Sequence, residues 1–475
     1  MTITKEHTRV AISWSDVGCP PSAGGMHRSP VRQRQATNCR PHPPDAELSR
    51  HPTKTVTQLI TFRNHGVDGP ARLRATMVDE LRGDPITSEA VADAMATVPR
   101  HLFAPEVPLE EAYESNTAVP VKRAGDGLTL SSLSSAHLQA TMLEQATISP
   151  GMNVLEIGSM GYNAALLDEL VGPTGHVTSV DIDPDIVERA RTCLAQAGYN
   201  RIDVVLADAE YGVPAGAPYD RIIVTFDSPD IPPAWLKQLT SDGRIVVPLR
   251  MKGVTRSIAF DRDGAELISR SYRLCRFVPV QGEGAHDRRR LKLDTGVYLT
   301  IEDSDEAGFN VTAVQQALRE PAAESWPGAT FDLPDELELF LLTNSPQMAL
   351  LHASQARIDE GLLTAATRLG VPALITGDGS FAYRIKRARQ DSDEDFECGV
   401  IAHGPSAAIV AAQYGNLLRR WSENFRRRNA ASIRYVPTQT ATSPEPGLSG
   451  VLSKRHGSVV VSWPKISGSP DGDIA

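Results

Sequence analysis

The chain has no pair of cysteines spaced for a metal or redox couple. Its five cysteines, Cys19, Cys39, Cys193, Cys275 and Cys398, are scattered, odd in number and free of any CxxC spacing. That argues against a disulfide framework or a structural zinc site and for reduced thiols in a cytoplasmic setting. No apolar run approaches the roughly 18 residues of a membrane span. The N-terminus lacks the apolar stretch of a secretory signal. An excess of basic residues is also missing: 48 Lys and Arg face 58 Asp and Glu, a formal net charge of −10. Phosphate repels such a chain unless a basic patch is local, so no nucleic-acid partner is expected. Residues 15 to about 55 lack any helix or strand period and are rich in proline, so the segment 1–55 reads as a disordered tail with little to bury.

What is present is an ordinary globular balance, 41% hydrophobic and 22% charged, over 475 residues. That length is too great for one core and predicts two domains. Helical spacing of Leu73, Met77, Val78 and Leu81 predicts a first helix, Ser88–Val98 a second and His137–Ala146 a third. Strands and helices then alternate. Strands are expected at Met152–Ile157, Val177–Val180, Ile202–Leu206, Ile222–Thr225 and Ile245–Val247. Helices are expected near Tyr162–Leu170, Pro184–Ala197 and Trp235–Leu239. Largely apolar strands in this order predict an α/β domain over 56–285, a doubly wound, mainly parallel sheet. Ser257–Phe260 and Leu267–Leu274 should add an antiparallel hairpin on its edge. After His286-Asp287-Arg288-Arg289-Arg290 a second, α+β unit is expected over 293–464, with strands at Leu337–Leu342 and Ala373–Ile375 and a long helix over Ala407–Arg428. Residues 465–475 read as a second disordered tail. Ile3–Trp14 and Leu452–Trp463 share Lys, His, Val, Ser and Trp at five of twelve aligned positions, which suggests a duplicated tail or chance.

Chemistry is concentrated in the α/β part. In Val154-Leu155-Glu156-Ile157-Gly158-Ser159-Met160-Gly161-Tyr162 a buried strand runs through a glycine loop into a helix. Such a loop lets a ligand approach the backbone. Asp181 and Ile182, in Val180-Asp181-Ile182-Asp183, end the next strand, where an acid can accept hydrogen bonds from both hydroxyls of a ribose. Asp208 and Ala209 end the third, where a carboxylate can meet an adenine amino group. The bland alternative is loop glycines and helix caps. A dinucleotide site is disfavoured because a full G-x-G-x-x-G is absent. The basic run Arg288–Arg290 is either a solvated surface or a grip for an acidic leader peptide.

Residues 73–260 resemble the protein-L-isoaspartate O-methyltransferases. The likeness is carried by Val98-Pro99-Arg100-His101-Leu102-Phe103, Ala112-Tyr113, the Val154–Tyr162 loop, Ala217–Thr225, Ile231-Pro232 and Gly243–Pro248. More narrowly, the chain past residue 73 is similar to the FxLD-system methyltransferases of lanthipeptide and related ribosomal-peptide pathways, which end much like Lys454-Arg455-His456…Ser462-Trp463-Pro464. The resemblance implies a Rossmann-like class I methyltransferase fold and S-adenosyl-L-methionine as cofactor. It further implies cofactor contacts from Glu156, Gly158, Ser159, Gly161, Asp181, Ile182, Asp208 and Ala209. The substrate it implies is an aspartate of a modified precursor peptide, with the methyl ester closing to an aspartimide that hydrolyses to isoaspartate.

The family's Thr-Ile-Ser motif, whose serine meets the reacting carboxylate, falls on Ser132-Leu133-Ser134. This makes Ser134 the match, with Ser131 and Ser132 as fallbacks. The usual following proline is Ala136 here, and Met160 stands where the family has a small residue. These serines also suit capping of the helix at His137. Two other readings stay open: a broad-range isoaspartate repair enzyme, and a non-catalytic peptide-binding scaffold. Because every cofactor-like and serine motif precedes Pro248, the second unit is expected to choose the substrate and do no chemistry.

Overall fold

The computed structural model describes residues 69–463 except 126, 159, 287–288, 302–308, 332–333, 365–369, 390–391, 427–430 and 439–447. Both tails, the Ile3–Trp14 copy of the internal echo, Ser159 and Arg288 lie outside the described residues.

Helices Gly69–Leu81, Glu89–Thr97 and Ala136–Ala146 pack together at the start of the fold. Between the second and third lies a hairpin, β1 (Val119–Arg123) and β2 (Thr129–Leu133). The parallel strands are β3 (Asn153–Ile157), β4 (His176–Asp181), β5 (Asp203–Leu206) and β6 (Tyr219–Val224). They are followed by β7 (Leu239–Met251), β8 (Val254–Asp263) and β9 (Glu266–Leu274). Strand order β7-β6-β3-β4-β5, all parallel, reverses at β3. Helices Tyr162–Val171 and Pro184–Ala197 supply the crossovers. In an open α/β sheet the point of reversal opens a crevice at the strand carboxyl ends.

A second sheet follows. It is built from β10 (Arg289–Asp294), β11 (Val297–Ile301), β12 (Ala323–Ser325), β13 (Thr330–Phe331), β14 (Met348–Ala353), β15 (Val371–Ile375), β16 (Phe381–Arg389) and β17 (Ser392–His403). All pairings are antiparallel, in the order β10-β11-β14-β15-β16-β17-β12, with β13 also on β17. Helix Ala407–Asn424 covers it.

Three sequence expectations are corrected here. First, Leu337–Leu342 is not a strand but the middle of helix Pro334–Thr343. Its apolar residues Leu337, Leu339, Phe340, Leu341 and Leu342 are all buried, so the run carries no clear helical period, and Leu and Glu favour helix where β-branched residues are missing. Second, β8–β9 is not an edge. β18 (Ser432–Pro437), β19 (Leu448–Ser453) and β20 (Gly457–Trp463) extend the first sheet beyond β9 to ten strands, ordered β19-β20-β18-β9-β8-β7-β6-β3-β4-β5. Third, the 293–464 unit is therefore not self-contained, since its last three strands belong to the methyltransferase-like sheet. One hydrophobic core runs from Ile245 and Val247 through Leu337–Leu342 to Val400 and Val461, joining both sheets. Phe340 is its hub, with ring centroids 5.5 Å from both Trp421 and Trp463. Among the described residues no helix is long and apolar enough to cross a membrane.

Candidate active site

The glycine loop begins where β3 ends. Gly158 adopts φ +95°, and an added Cβ would stand 2.5 Å from Thr225 Oγ1, so the turn admits only glycine. Gly161 caps helix Tyr162–Val171 against the ring of Phe103. Ile157 is in register with Val180 on one side and Val224 on the other, and Asp181 with Leu206. The glycine loop, Asp181-Ile182 and Asp208-Ala209 therefore open at the same sheet end, as the sequence order predicts.

Each residue is held by its neighbours. Glu156 is 1% exposed and accepts a hydrogen bond from Ser179 Oγ. Burial pushes its carboxyl up to about 7, against that hydrogen bond. Its Oε1 is buried with no partner among the described residues. Asp181 Oδ1 accepts from the Asp183 amide at 2.9 Å, which turns the chain into the next helix. Asp183 caps that helix, so the capping alternative applies to it and not to Asp181. Asp208 Oδ1 accepts from the Glu210 amide and Oδ2 from the Glu283 amide, both at 2.9 Å. The carbonyl of Ala209 accepts from Trp235 Nε1 at 2.7 Å. A glycine turn with room for close approach, an orphaned buried carboxylate oxygen and acids ending adjacent strands together fit the adenosyl and amino-acid parts of S-adenosyl-L-methionine.

Ser131 lies inside β2 and is 8% exposed, while Ser132 and Ser134 are half-buried. The cap of helix Ala136–Ala146 is Ser135, whose hydroxyl accepts from the Leu138 amide at 3.3 Å. Capping therefore does not occupy Ser134. Fully buried Arg100 anchors the Ser134 carbonyl at 2.7 Å, Gln139 Oε1 at 2.7 Å and the Ala112 carbonyl at 2.8 Å. Its guanidinium also lies 4.9 Å from the ring centroid of Tyr162, beside Gly161. One cation thus ties the serine segment to the glycine loop. The hairpin carrying Ser131 and Ser132 is latched from the other side by Lys122, 2.5 Å from Asp183 and 2.8 Å from Asp185.

Sequence reasoning missed two parts of the site. One is the segment Gln281–His286, which returns over the strand ends. Gly282 packs so closely on Ile182 and Asp208 that a Cβ would collide with both, and Gln281 Nε2 donates to the Leu130 carbonyl at 3.4 Å. Two glycines one residue apart, Gly282 and Gly284, were the only sign of it. The other is the β19–β20 turn, which reaches the cleft wall at Glu210 and Phe226. No short-range pattern announces a contact made 246 residues away.

Residues 72–285 match the family described as protein-L-isoaspartate(D-aspartate) O-methyltransferase. The chain is similar to the protein-L-isoaspartate O-methyltransferase of Hyperthermus butylicus, 40% identical over 222 residues, spanning 44% of this chain and 89% of that one. It is also similar to protein-L-isoaspartate O-methyltransferase 2 of Archaeoglobus fulgidus, 36% identical over 211 residues and 93% of that chain. A solved protein-L-isoaspartate O-methyltransferase aligns with a TM-score of 0.43 and 23% identity over 76% of this chain and 96% of its own.

Proposed function

The chain belongs to the protein-L-isoaspartate O-methyltransferase family, and from that premise we propose that its own substrate is an aspartate of a ribosomally made, modified peptide. It is a protein carboxyl O-methyltransferase, and its cofactor is S-adenosyl-L-methionine. The finer reading places it with the FxLD-system enzymes. The observation that carries this reading is the second sheet, with the strands that return from it to line the cleft. The sequence relatives of Hyperthermus butylicus and Archaeoglobus fulgidus each align with 44% of this chain, and the second sheet lies beyond the family match at residues 72–285. We read this added surface as serving to select a single aspartate.

In this reading Gly158 and Gly161 admit the cofactor's amino-acid part, Asp181 holds the ribose and Asp208 the adenine. Glu156 and Ile182 complete the wall, and Ser159 and Ala209 contribute backbone. When bound, the cofactor supplies an electrophilic methyl group. A peptide aspartate has a pKa near about 4 and is already ionised at neutral pH, so no general base is required. The chain's task is alignment. Ser134 donates its hydroxyl to one carboxylate oxygen and leaves the other directed at the methyl carbon. Arg100 fixes the backbone that carries it. Once esterified, the aspartate is open to attack by the following backbone nitrogen, with loss of methanol and formation of an aspartimide.

Mass spectrometry of candidate precursor peptides incubated with enzyme and cofactor tests this. A gain of one methylene followed by loss of methanol, at one aspartate, is the expected result. Methylation of isoaspartyl peptides regardless of sequence, with none at aspartate, would instead support the repair reading, which the 40% identity to repair enzymes favours.

A further inference from the structure

Lys454-Arg455-His456-Gly457 forms the turn between β19 and β20, closed by a bond from the Lys454 amide to the Gly457 carbonyl at 2.8 Å. The turn is fixed to the methyltransferase domain on every side but one. Lys454 Nζ donates to the Arg250 carbonyl at 2.8 Å, and the His456 amide to Asp230 Oδ2 at 2.6 Å. The His456 ring lies 3.2 Å from Glu210 Oε1. Tyr435, on the neighbouring β18, donates to Asp230 Oδ1 at 2.8 Å. Arg455 is the exception. Its side chain is exposed, has no ion-pair partner among the described residues, and lines a cleft with Glu210, Phe226, Trp235, His286 and His456.

The charges around this cleft are unevenly committed. Both oxygens of Asp230 accept hydrogen bonds and Glu210 faces His456, so the acids are engaged. The uncommitted polar groups are the Arg455 guanidinium and His286 Nε2, which is shielded from solvent and has no hydrogen-bond partner among the described residues. They line the same cleft as the apolar side chains of Phe226 and Trp235. A planar cation on a rigid turn, in a cleft that also has apolar lining, suits a carboxylate carried on a short aliphatic stem.

We propose that Arg455 determines specificity by binding an acidic side chain of the peptide that flanks the reacting residue. The inference rests on the carboxyl-methylation reading above. It assigns the tail hairpin a direct place in the substrate site. Glu210 follows Asp208-Ala209, and Phe226 follows Thr225 beside Gly158, so this cleft adjoins the cofactor crevice.

The test uses the full chain and two labelled aspartyl peptides, one with the aspartate flanked by glutamates and the other by glutamines. Binding is measured by fluorescence anisotropy with S-adenosylhomocysteine present, and methyl transfer is measured separately. The native chain should prefer the glutamate peptide by about tenfold in both Kd and KM, the scale of one charge-assisted pair. Arg455→Gln should bring that ratio to near one, Arg455→Lys should keep part of it, and Arg455→Glu should invert it. A ratio unchanged in Arg455→Gln, no preference in the native chain, or no binding of either peptide overturns the proposal. Charge-dependent binding without methyl transfer sinks the methylation reading and upholds the acidic subsite. Methyl transfer without charge preference does the reverse.

Discussion

At Glu156 the fold keeps a carboxyl in a place that disfavours its charge. Its folded pKa, about 7, lies above the ordinary 4.5. The folded chain therefore holds a proton that the unfolded chain has lost, and stability falls as pH rises from about 4.5 to 7 before levelling off. The ligand-free protein should lose on the order of 3 kcal/mol over that window through this group alone. Urea unfolding at pH 5 and pH 8 should show a smaller loss for Glu156→Gln than for the native chain, and equal losses would refute the assignment. At Asp181 the expectation concerns binding. Asp181→Ala should weaken cofactor affinity by about 3 kcal/mol or more, the scale of two charge-assisted hydrogen bonds, as read by calorimetry. Native affinity in that variant would remove Asp181 from the site. Ser134→Ala should lower methyl transfer on the order of 10²–10³ with little change in cofactor binding. A severe Ser131→Ala beside a mild Ser134→Ala would move the role to the serine inside β2. The strand-end acids and the glycine loop were legible because each follows its strand directly. The division of labour between Ser134 and Ser135 was not, since adjacent serines before a helix offer the same chemistry and only the backbone path decides which one caps.

Among the elements, the β1–β2 hairpin forms a two-stranded sheet of its own, anchored in the core by Val119 and Leu133. It makes few backbone bonds to the rest of the fold, and Lys122 spans from it to Asp183 and Asp185 at the start of helix Pro184–Ala197. Lys122→Gln should raise KM for peptide several-fold while leaving the thermal midpoint nearly unmoved, because an exposed latch steadies geometry more than it stabilises the fold. A matched fall in midpoint and activity would show that the hairpin is structural instead. The crossover units were legible because strand and helix alternate with distinct periods. Helix Pro334–Thr343 was not. Its residues Leu339–Leu342 are consecutive, apolar and buried, and such a run has no amphipathic signature to read. The true sheet edge was hidden for another reason: the pairing of Arg434 with Ile268 and of Tyr435 with Leu267 joins residues 166 and 168 positions apart.

For the whole molecule, the shared core changes the expectation about cutting the chain. Since the cofactor-like and serine motifs all precede Pro248, a protein ending near His286 is expected from sequence to keep its cofactor site if it stays soluble. In the structure that cut strips β9 of its partner β18, removes Tyr435 from Asp230 and His456 from Glu210, and uncovers the apolar face that Phe340 and Trp463 close. Such a protein should aggregate or melt without cooperativity, as sedimentation and thermal unfolding would show. A monomeric, cooperatively folded product would restore the picture of two separable domains.

The position of β18–β20 at the end of the chain also has a consequence for biosynthesis. The sheet that carries the strand-end acids is begun early in translation, yet its last three strands are made only after the whole second sheet. Contacts such as Asp230–Tyr435 and Glu210–His456 bridge 205 and 246 residues. Closing loops of that length is slow relative to local pairing. The nascent protein therefore carries a complete glycine loop and strand-end acids well before it has a finished cleft. Under the proposal that Arg455 grips the peptide, selection waits until β18–β20 are made and docked, so a chain interrupted before β18 is a poor enzyme rather than an unselective one.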